Sequence, residues 1–297
     1  MTHDILQRFI FENDPVRGEY IKLQESLHTI LQQHDYPAGV QKVLSEALCV
    51  AALLSAIIKF KGRLTVQFRG KGKLRLLLAQ CDDQNQLRGL AKYDGEYSYE
   101  DLMASFKDGV LVIMLDSGSN GQRYQGVVEW VGSSLAESIE HYFQHSEQLA
   151  TKIRLAVNEK YAVGFLLQVV PMSQHSSLGI HNEIIMPSWQ RIVTLSEAAT
   201  EEVLLNREYP DLLTHLYPDE TIRIFDGTPV VFHCGCTRKR GQDAIYVLGR
   251  EEAEDELKDK QSIVVTCDFC NKEYVFDRID VEEIFRNHDQ PPDTHLH

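Results

Sequence analysis

The sequence lacks the features that would place it in a membrane, on nucleic acid or on a nucleotide. Its longest apolar run, broken only by Ser55, is LCVAALLSAII, residues 48–58. That is short of the roughly 20 residues a membrane-spanning helix requires, and it reads as a buried core helix. The opening residues, MTHDILQRFIFENDPVRGEY, hold no cationic segment followed by an apolar one, so no secretory leader is expected. Positive charge is in deficit: 30 Lys and Arg stand against 44 Asp and Glu, a net charge of −14. Phosphate backbones and anionic lipid surfaces reward basic patches, so neither nucleic acid nor membrane is an expected partner. There is no G-x-x-x-x-G-K-[ST], no G-x-G-x-x-G after a strand, no G-x-S-x-G and no H-E-x-x-H. Nucleotide binding and hydrolysis have no motif to carry them, and an enzyme is not expected. There is also no internal repeat.

What is present is a chain of 297 residues, 43% hydrophobic and 25% charged, ordinary values for a globular protein. That length suits one sizeable core and a smaller module. Pro37 opens a helical pattern in which Val40, Val43, Leu44, Ala47, Leu48, Ala51, Leu54 and Ile58 recur at three- and four-residue steps. Alternation in RLTVQFR (Leu64, Val66, Phe68) and KLRLLLAQ (Leu74, Leu76, Leu78), joined by GKG, predicts a hairpin. Further strands are expected at 87–93, 110–115 and 122–131. SSLAESIEHYFQHSEQL reads as a helix, and KIRLAVN with YAVGFLLQVVP as a closing hairpin stopped by Pro171.

Composition then changes. Residues 172–183, MSQHSSLGIHNE, read as a polar loop. From 184 to 217 the pattern is helical and broken by Pro187 and Pro210, with too few apolar positions for an independent core. Residues 221–232 look like a hairpin leading into cysteines. Residues 251–260, EEAEDELKDK, read as a solvated acidic helix, SIVVTC and EYVFDR as short strands, VEEIFRNH as a closing helix and DQPPDTHLH as a loose tail. The expected class is α+β: a strand-rich core domain with packed helices over 1–178, a helical linker over 179–232 and a small zinc-binding module over 233–297.

Four of the six cysteines sit in that last stretch, as Cys234-x-Cys236 and Cys267-x-x-Cys270. Two close pairs brought together by a hairpin are the arithmetic of a tetrahedral zinc site. A module of about 65 residues with few large apolar side chains needs such a tie. By spacing alone, a closed structural clip is the ordinary reading. Thiolates are nevertheless the oxidisable form of cysteine, and each pair is also able to close internally. A one-residue C-x-C ring is strained and so readily reduced again. Without an export signal the compartment is expected to be the reducing cytoplasm, where cysteines bind metal or react more often than they form permanent disulfides. Cys49 lies within the apolar helix and reads as a packed small hydrophobe; Cys81 starts CDDQNQ and is expected to be partly exposed. His233 adjoins Cys234, and His295 and His297 sit in the tail, but four sulfurs already complete a site. A zinc-ribbon recruitment module and a thiol–disulfide oxidoreductase are the competing readings. The first is opposed by the acidic charge, and the second by the absence of a strand leading C-x-x-C into a helix N-terminus.

At these residues the sequence resembles the Hsp33 family of redox-regulated bacterial chaperones. FIFENDPVRGEYIKL, HDYP, RYQGVV (123–128), YFQHSEQL (142–149), LLQVVP (166–171) and CDFCNKEYVF carry the resemblance, which covers the whole chain. It implies one zinc ion held by Cys234, Cys236, Cys267 and Cys270 in a reduced, inactive protein. It further implies that oxidation forms disulfides 267–270 and 234–236, releases zinc, unfolds the C-terminal module and destabilises the linker. The surface so exposed would bind unfolding proteins during stress without ATP, and the oxidised form would dimerise. Trp189, Ile192, Val193, Leu204 and Leu213 are the candidate client-binding residues on the linker.

Overall fold

A computed structural model describes residues 4–95, 98–117, 123–170 and 178–289, the side chains of 178–185, 288 and 289 excepted. Residues 172–177 of the expected polar loop, the end of the chain and its two histidines lie outside the described residues. The chain divides into two compact units, Met1–His233 and Cys234–His297.

The first unit opens with strands β1 (Ile5–Phe11) and β2 (Val16–Leu23), the short helix α1 (Glu25–Leu31) and the long helix α2 (Ala38–Ile57). There follow β3 (Arg63–Gly70), β4 (Leu74–Asp82), β5 (Gln86–Tyr93), α3 (Tyr99–Ser105), β6 (Gly109–Asp116) and β7 (Arg123–Val128). Helix α4 (Leu135–Tyr142) runs into a π-helical turn, Phe143–Glu147, before β8 (Thr151–Val157) and β9 (Ala162–Val169). By length and composition α2 is apolar enough to cross a membrane, but most of it is buried inside the protein. It is apolar all round because it lies between two sheets, one containing β2, β9 and β8 and the other β5, β4 and β3. Each sheet meets it at a glycine. A Cβ at Gly164 would stand 2.8 Å from Leu53 Cδ1, and one at Gly89 would stand 2.9 Å from Leu48 Cδ2. Neither contact leaves room for a side chain.

The expected hairpin β3–β4 is present, but its inward face differs from the expected one. A register shift between Leu74 and Leu76 turns the strand, so Leu77, Ala79 and Cys81 point into the core. Cys81 is therefore fully buried, not partly exposed, and Ser55 donates to its sulfur at 3.3 Å. Cys49 is buried as expected.

Residues after 178 form α5 (Leu178–Ser196), α6 (Glu201–Asn206), α7 (Tyr209–Leu216), β10 (Ile222–Ile224), β11 (Thr228–Pro229) and β12 (Val231–Phe232). Three expectations change here. Helix α5 starts at Leu178, inside the expected loop, and continues through Pro187. The residues beyond Pro187, Trp189, Ile192 and Leu195, keep helical spacing and pack on the sheet, which holds the helix despite one lost amide donor. Pro210 does not break a helix but sits in the first turn of α7, where its fixed φ suits a helix start. The segment 221–232 is not a hairpin. Strands β10 and β11 both pair with the free edge of β1, and β12 lies parallel to β5. An open strand edge competes with a local hairpin, and here it wins.

These helices cover the second face of the first sheet. Strand β9 is buried on both faces: Ala162 and Leu166 face α2, while Val163, Phe165 and Leu167 meet α5–α7. Phe9 stacks on Phe165 at 5.6 Å, and Tyr20 packs on Tyr209 with ring centroids 5.0 Å apart. The linker thus has no core of its own and borrows the back of the sheet.

The second unit contains α8 (Arg238–Leu248), α9 (Arg250–Asp259), the hairpin β13 (Ser262–Thr266) and β14 (Glu273–Asp277), and α10 (Arg278–Asp289). Its core is eight buried apolar residues around Phe276. The acidic helix α9 contributes Ala253 and Leu257 to it and turns its carboxylates outward.

One buried acid makes the first unit pH-sensitive. Glu46 on α2 is 6% exposed and accepts the Tyr99 hydroxyl at 3.0 and 2.9 Å. Burial pushes its carboxyl up to about 7, with Tyr99 and Lys42 opposing and Glu201 adding to the rise. The folded state therefore holds this proton more tightly than the unfolded chain. Its contribution is full below the unfolded value near 4.5 and is lost as pH rises through about 7. Glu46→Gln is expected to flatten that slope in urea denaturation between pH 5 and 8. It should stabilise the protein at pH 8 by roughly 3 kcal/mol, against little change at pH 5.

Candidate metal centre

The two cysteine pairs lie on two turns of the second unit. In the first, the single residue between Cys234 and Cys236 is Gly235, with φ +61°. This left-handed residue folds the chain back so that one intervening residue suffices for both sulfurs to face the same point. Helix α8 starts directly afterwards, its N-cap Thr237 accepting the amide of Arg240 at 3.3 Å. In the second turn Cys267 is closed by a set of backbone bonds. Its carbonyl accepts Cys270 N at 3.3 Å and Asn271 N at 2.8 Å, and its amide donates to Lys272 O at 3.0 Å. Asn271 takes the left-handed conformation, φ +51°, that starts the return into β14.

The four sulfurs all lie within 4.8 Å of one another. The closest approaches run between the turns, Cys234 to Cys267 at 3.4 Å and Cys236 to Cys270 at 3.5 Å. A tetrahedral ion with metal–sulfur bonds of about 2.3 Å separates its ligands by roughly 3.8 Å. The cluster fits that size. All six cysteines are free thiols, far from the S–S distance of about 2.05 Å of a disulfide. Four soft donors and no carboxylate suit zinc, or an iron–sulfur centre, better than a hard cation. His233 belongs to the first unit, where its amide donates to Leu87 O at 3.1 Å.

The cluster has supports that spacing did not reveal. The Tyr274 hydroxyl donates to Cys236 Sγ at 3.2 Å. Burial raises the Cys236 thiol, but this bond and those from Cys270, Cys234 and Cys267 outweigh it and bring it down to about 7. Cys234 is pushed well up, first by burial and then by its bonds to Cys267 and Cys270. Cys234 and Cys236 thus differ sharply, Cys236 alone being ready to ionise near neutral pH. Arg238 ties the first turn to the rest of the unit. It donates to Val275 O at 2.7 Å, pairs with Asp280 at 2.8 Å and lies over the Phe276 ring at 4.3 Å. The alternation of β14 was the one available signal for Tyr274, since it faces the sulfurs two residues before buried Phe276.

By contrast, Cys49 and Cys81 are pushed up by burial, Cys81 to about 12, and neither joins the cluster. The candidate client residues lie in the first unit. Ile192, Leu204 and Leu213 are buried against the sheet with Trp189 half-buried beside them, and Val193 is half-buried.

Gly235→Ala is expected to weaken metal binding about tenfold in a chelator-competition titration. A side chain in the left-handed region costs about 1–2 kcal/mol, and the strain falls on the ligand-bearing turn. Unchanged affinity would show that the left-handed turn does not set the site.

A family profile described as Hsp33 protein matches residues 4–277, a span that takes in all four cysteines. The 33 kDa chaperonin of Nitrosococcus oceani is 40% identical over 293 residues, 99% of this chain and 98% of that protein. The 33 kDa chaperonin of Ectopseudomonas mendocina is 41% identical over 286 residues, 95% of each chain. The crystal structure of the 33 kDa chaperonin (Hsp33 homologue) of Thermotoga maritima matches the fold with a TM-score of 0.81 at 22% identity, covering 97% of this chain and 99% of that one. With a profile match over most of its length and relatives at this identity, the chain belongs to the Hsp33 family.

Proposed function

We propose that this protein is an ATP-independent holdase chaperone of the cytoplasm, switched on by oxidation of Cys234, Cys236, Cys267 and Cys270. The observation that carries the reading is the gathering of four free sulfurs within 4.8 Å in a unit whose core has only eight buried apolar residues. When bound, a zinc ion supplies a closed tie between the two turns, worth on the order of 10–16 kcal/mol in small modules. That exceeds the stability a unit of this size has in reserve.

The chain's own residues supply the rest. As thiolates, the four sulfurs are both ligands and reductants. Closing 267–270 and 234–236 passes two electrons per disulfide to an oxidant such as peroxide, one peroxide and two protons from solvent giving two waters for each bond formed. Disulfide sulfurs are poor ligands, so oxidation removes the tie and the second unit loses its fold. Only His233 separates Cys234 from β12, the last strand of the linker, so disorder reaches the linker along the backbone.

The linker is suited to open. Its helices hold the sheet by apolar packing and by exposed ion pairs such as Lys22–Glu208 and Lys42–Glu201, which are worth little. The buried hydroxyls of Tyr20 and Tyr209, one on each side of that interface, have no protein hydrogen-bond partner. Both gain water on opening, which lowers the cost of separation. Lifting α5–α7 would present Trp189, Ile192, Val193, Leu204 and Leu213, and would uncover Phe9 and Phe165 on the sheet. A broad apolar surface of this kind suits varied unfolded clients and a homodimer of the oxidised form.

The test is to measure metal content, far-UV circular dichroism and suppression of client aggregation before and after peroxide with mild heat. Oxidised protein should have lost about one zinc and some helix, and should suppress aggregation that reduced protein does not. Equal suppression by both forms, or metal retained after oxidation, would overturn the switch. Catalytic reduction of insulin would favour a thiol–disulfide enzyme. Cys267→Ser should weaken zinc binding at least a hundredfold and uncouple activity from oxidant; a variant with unaltered metal affinity would refute the ligand assignment.

A further inference from the structure

We propose that the first unit carries a second binding site, a cavity of about 330 Å³ that takes an amphipathic monocarboxylate, with its carboxylate on Arg17 and its apolar body against the ends of α2 and β6. The volume lies within the range of small-molecule pockets. Its walls are largely apolar: Ile57 and Ile58 at the end of α2, Ile113 and Leu115 on β6, Phe143 at the start of the π-helical turn and Leu149 just after it. π-helical turns are rare and are found mostly at functional sites.

The polar groups of the cavity are unequally satisfied, and that imbalance defines the ligand. Arg17 Nη2 donates to the carbonyl of Ile57 at 3.0 Å and to Gln168 Oε1 at 2.5 Å, both neutral acceptors. Among the described residues its Nε has no acceptor, and it is buried out of reach of a ligand. Glu19, the nearest carboxylate by its electrostatic effect, is held instead by Arg8 at 2.7 Å. Among the described residues no carboxylate pairs directly with this half-buried guanidinium, though Glu19 acts on it at a distance. The carboxylate on the opposite wall already has donors: Glu147 Oε1 accepts the hydroxyls of Tyr124 and Tyr142, each at 2.9 Å. A ligand that completes the site brings one anionic group and an apolar body. With both Nη2 protons taken and Nε closed off, Nη1 is the group left to donate to a ligand carboxylate oxygen in a charge-assisted bond. A second anionic group would meet Glu147, which disfavours nucleotides and polyphosphates.

All of these residues lie between positions 17 and 168, so this site does not rest on the redox reading. Binding should be the same in reduced and oxidised protein.

The test is calorimetric titration of the full-length reduced protein with sodium octanoate below its micellar concentration. Saturable binding of one octanoate per chain is expected, with 1-octanol at least tenfold weaker. Arg17→Met should weaken octanoate at least tenfold. Ile58→Glu, a change at the half-exposed end of α2, should do the same with an unaltered circular dichroism spectrum. It keeps the test decisive where the Arg17 variant fails to fold. Octanoate that does not saturate at one site, octanol that binds as tightly, or folded variants of unchanged affinity would overturn the proposal.

Discussion

The second unit depends on bringing four sulfurs from two turns to one point. Cys234 and Cys267 are separated by 33 residues, yet their sulfurs lie 3.4 Å apart. With a metal bound, as proposed, that cluster would be the strongest tie in the unit: its hairpin has two strands, too few to be stable alone in water, and among the described residues its core is eight side chains. Arg238 adds an ion pair, a carbonyl bond and a ring contact, but its partner Asp280 is itself partly exposed, and such pairs contribute little. Under the proposed function, the fold of this unit would follow the chemistry of its sulfurs far more closely than the fold of an ordinary domain follows any single interaction.

The first unit shows the opposite balance. Its sheets hold α2 between them with glycines at the contact points, and fifteen residues of that helix are buried. That packing is independent of any bond a redox change can break. The back of the first sheet is a different matter. Val163, Phe165 and Leu167 on β9 are as apolar as the residues facing α2, and they need a cover. The cover is α5–α7, helices with no alternative core. One strand thus carries a permanent face and a removable one, and the difference lies in what covers each face. The proposed switch needs that asymmetry: a core that stays folded while its second apolar face is uncovered.

Much of this was legible in the chain. Metal-ligand spacing is local, so C-x-C and C-x-x-C announced the site, and the three- and four-residue steps announced α2. What stayed hidden depended on partners remote in sequence. Helix α1 has no capping side chain of its own; Asp4, about twenty residues earlier, accepts the amides of Gln24, Glu25 and Ser26. Residues 221–232 have hairpin composition, but the open edge of β1 is a better partner than they are for each other. One irregularity in β4 exchanged the inward and outward faces, and with them the environment of Cys81. Helix α8 escaped notice because only Gly241 and Ile245 are buried along it, too few to give an apolar period. Tyr274 reads as an ordinary strand aromatic until the fold places its hydroxyl against Cys236.

The environments of the six cysteines also bear on why oxidation would act at one place. A thiol reacts as its thiolate, so reactivity follows ionisation and access. Cys49 and Cys81 are fully buried, and burial pushes both far above their ordinary range. An oxidant that reaches the protein finds almost no thiolate there. The four clustered sulfurs are half-exposed, and Cys236 is drawn down to about 7 by the donors around it. The same residue type is thereby divided into two inert core side chains and a half-exposed cluster in which Cys236 is the thiol closest to ionising, the one at which the proposed oxidation would begin. In such a device the sensor and the structural tie are the same atoms. The signal cannot be received without weakening the fold that depends on it.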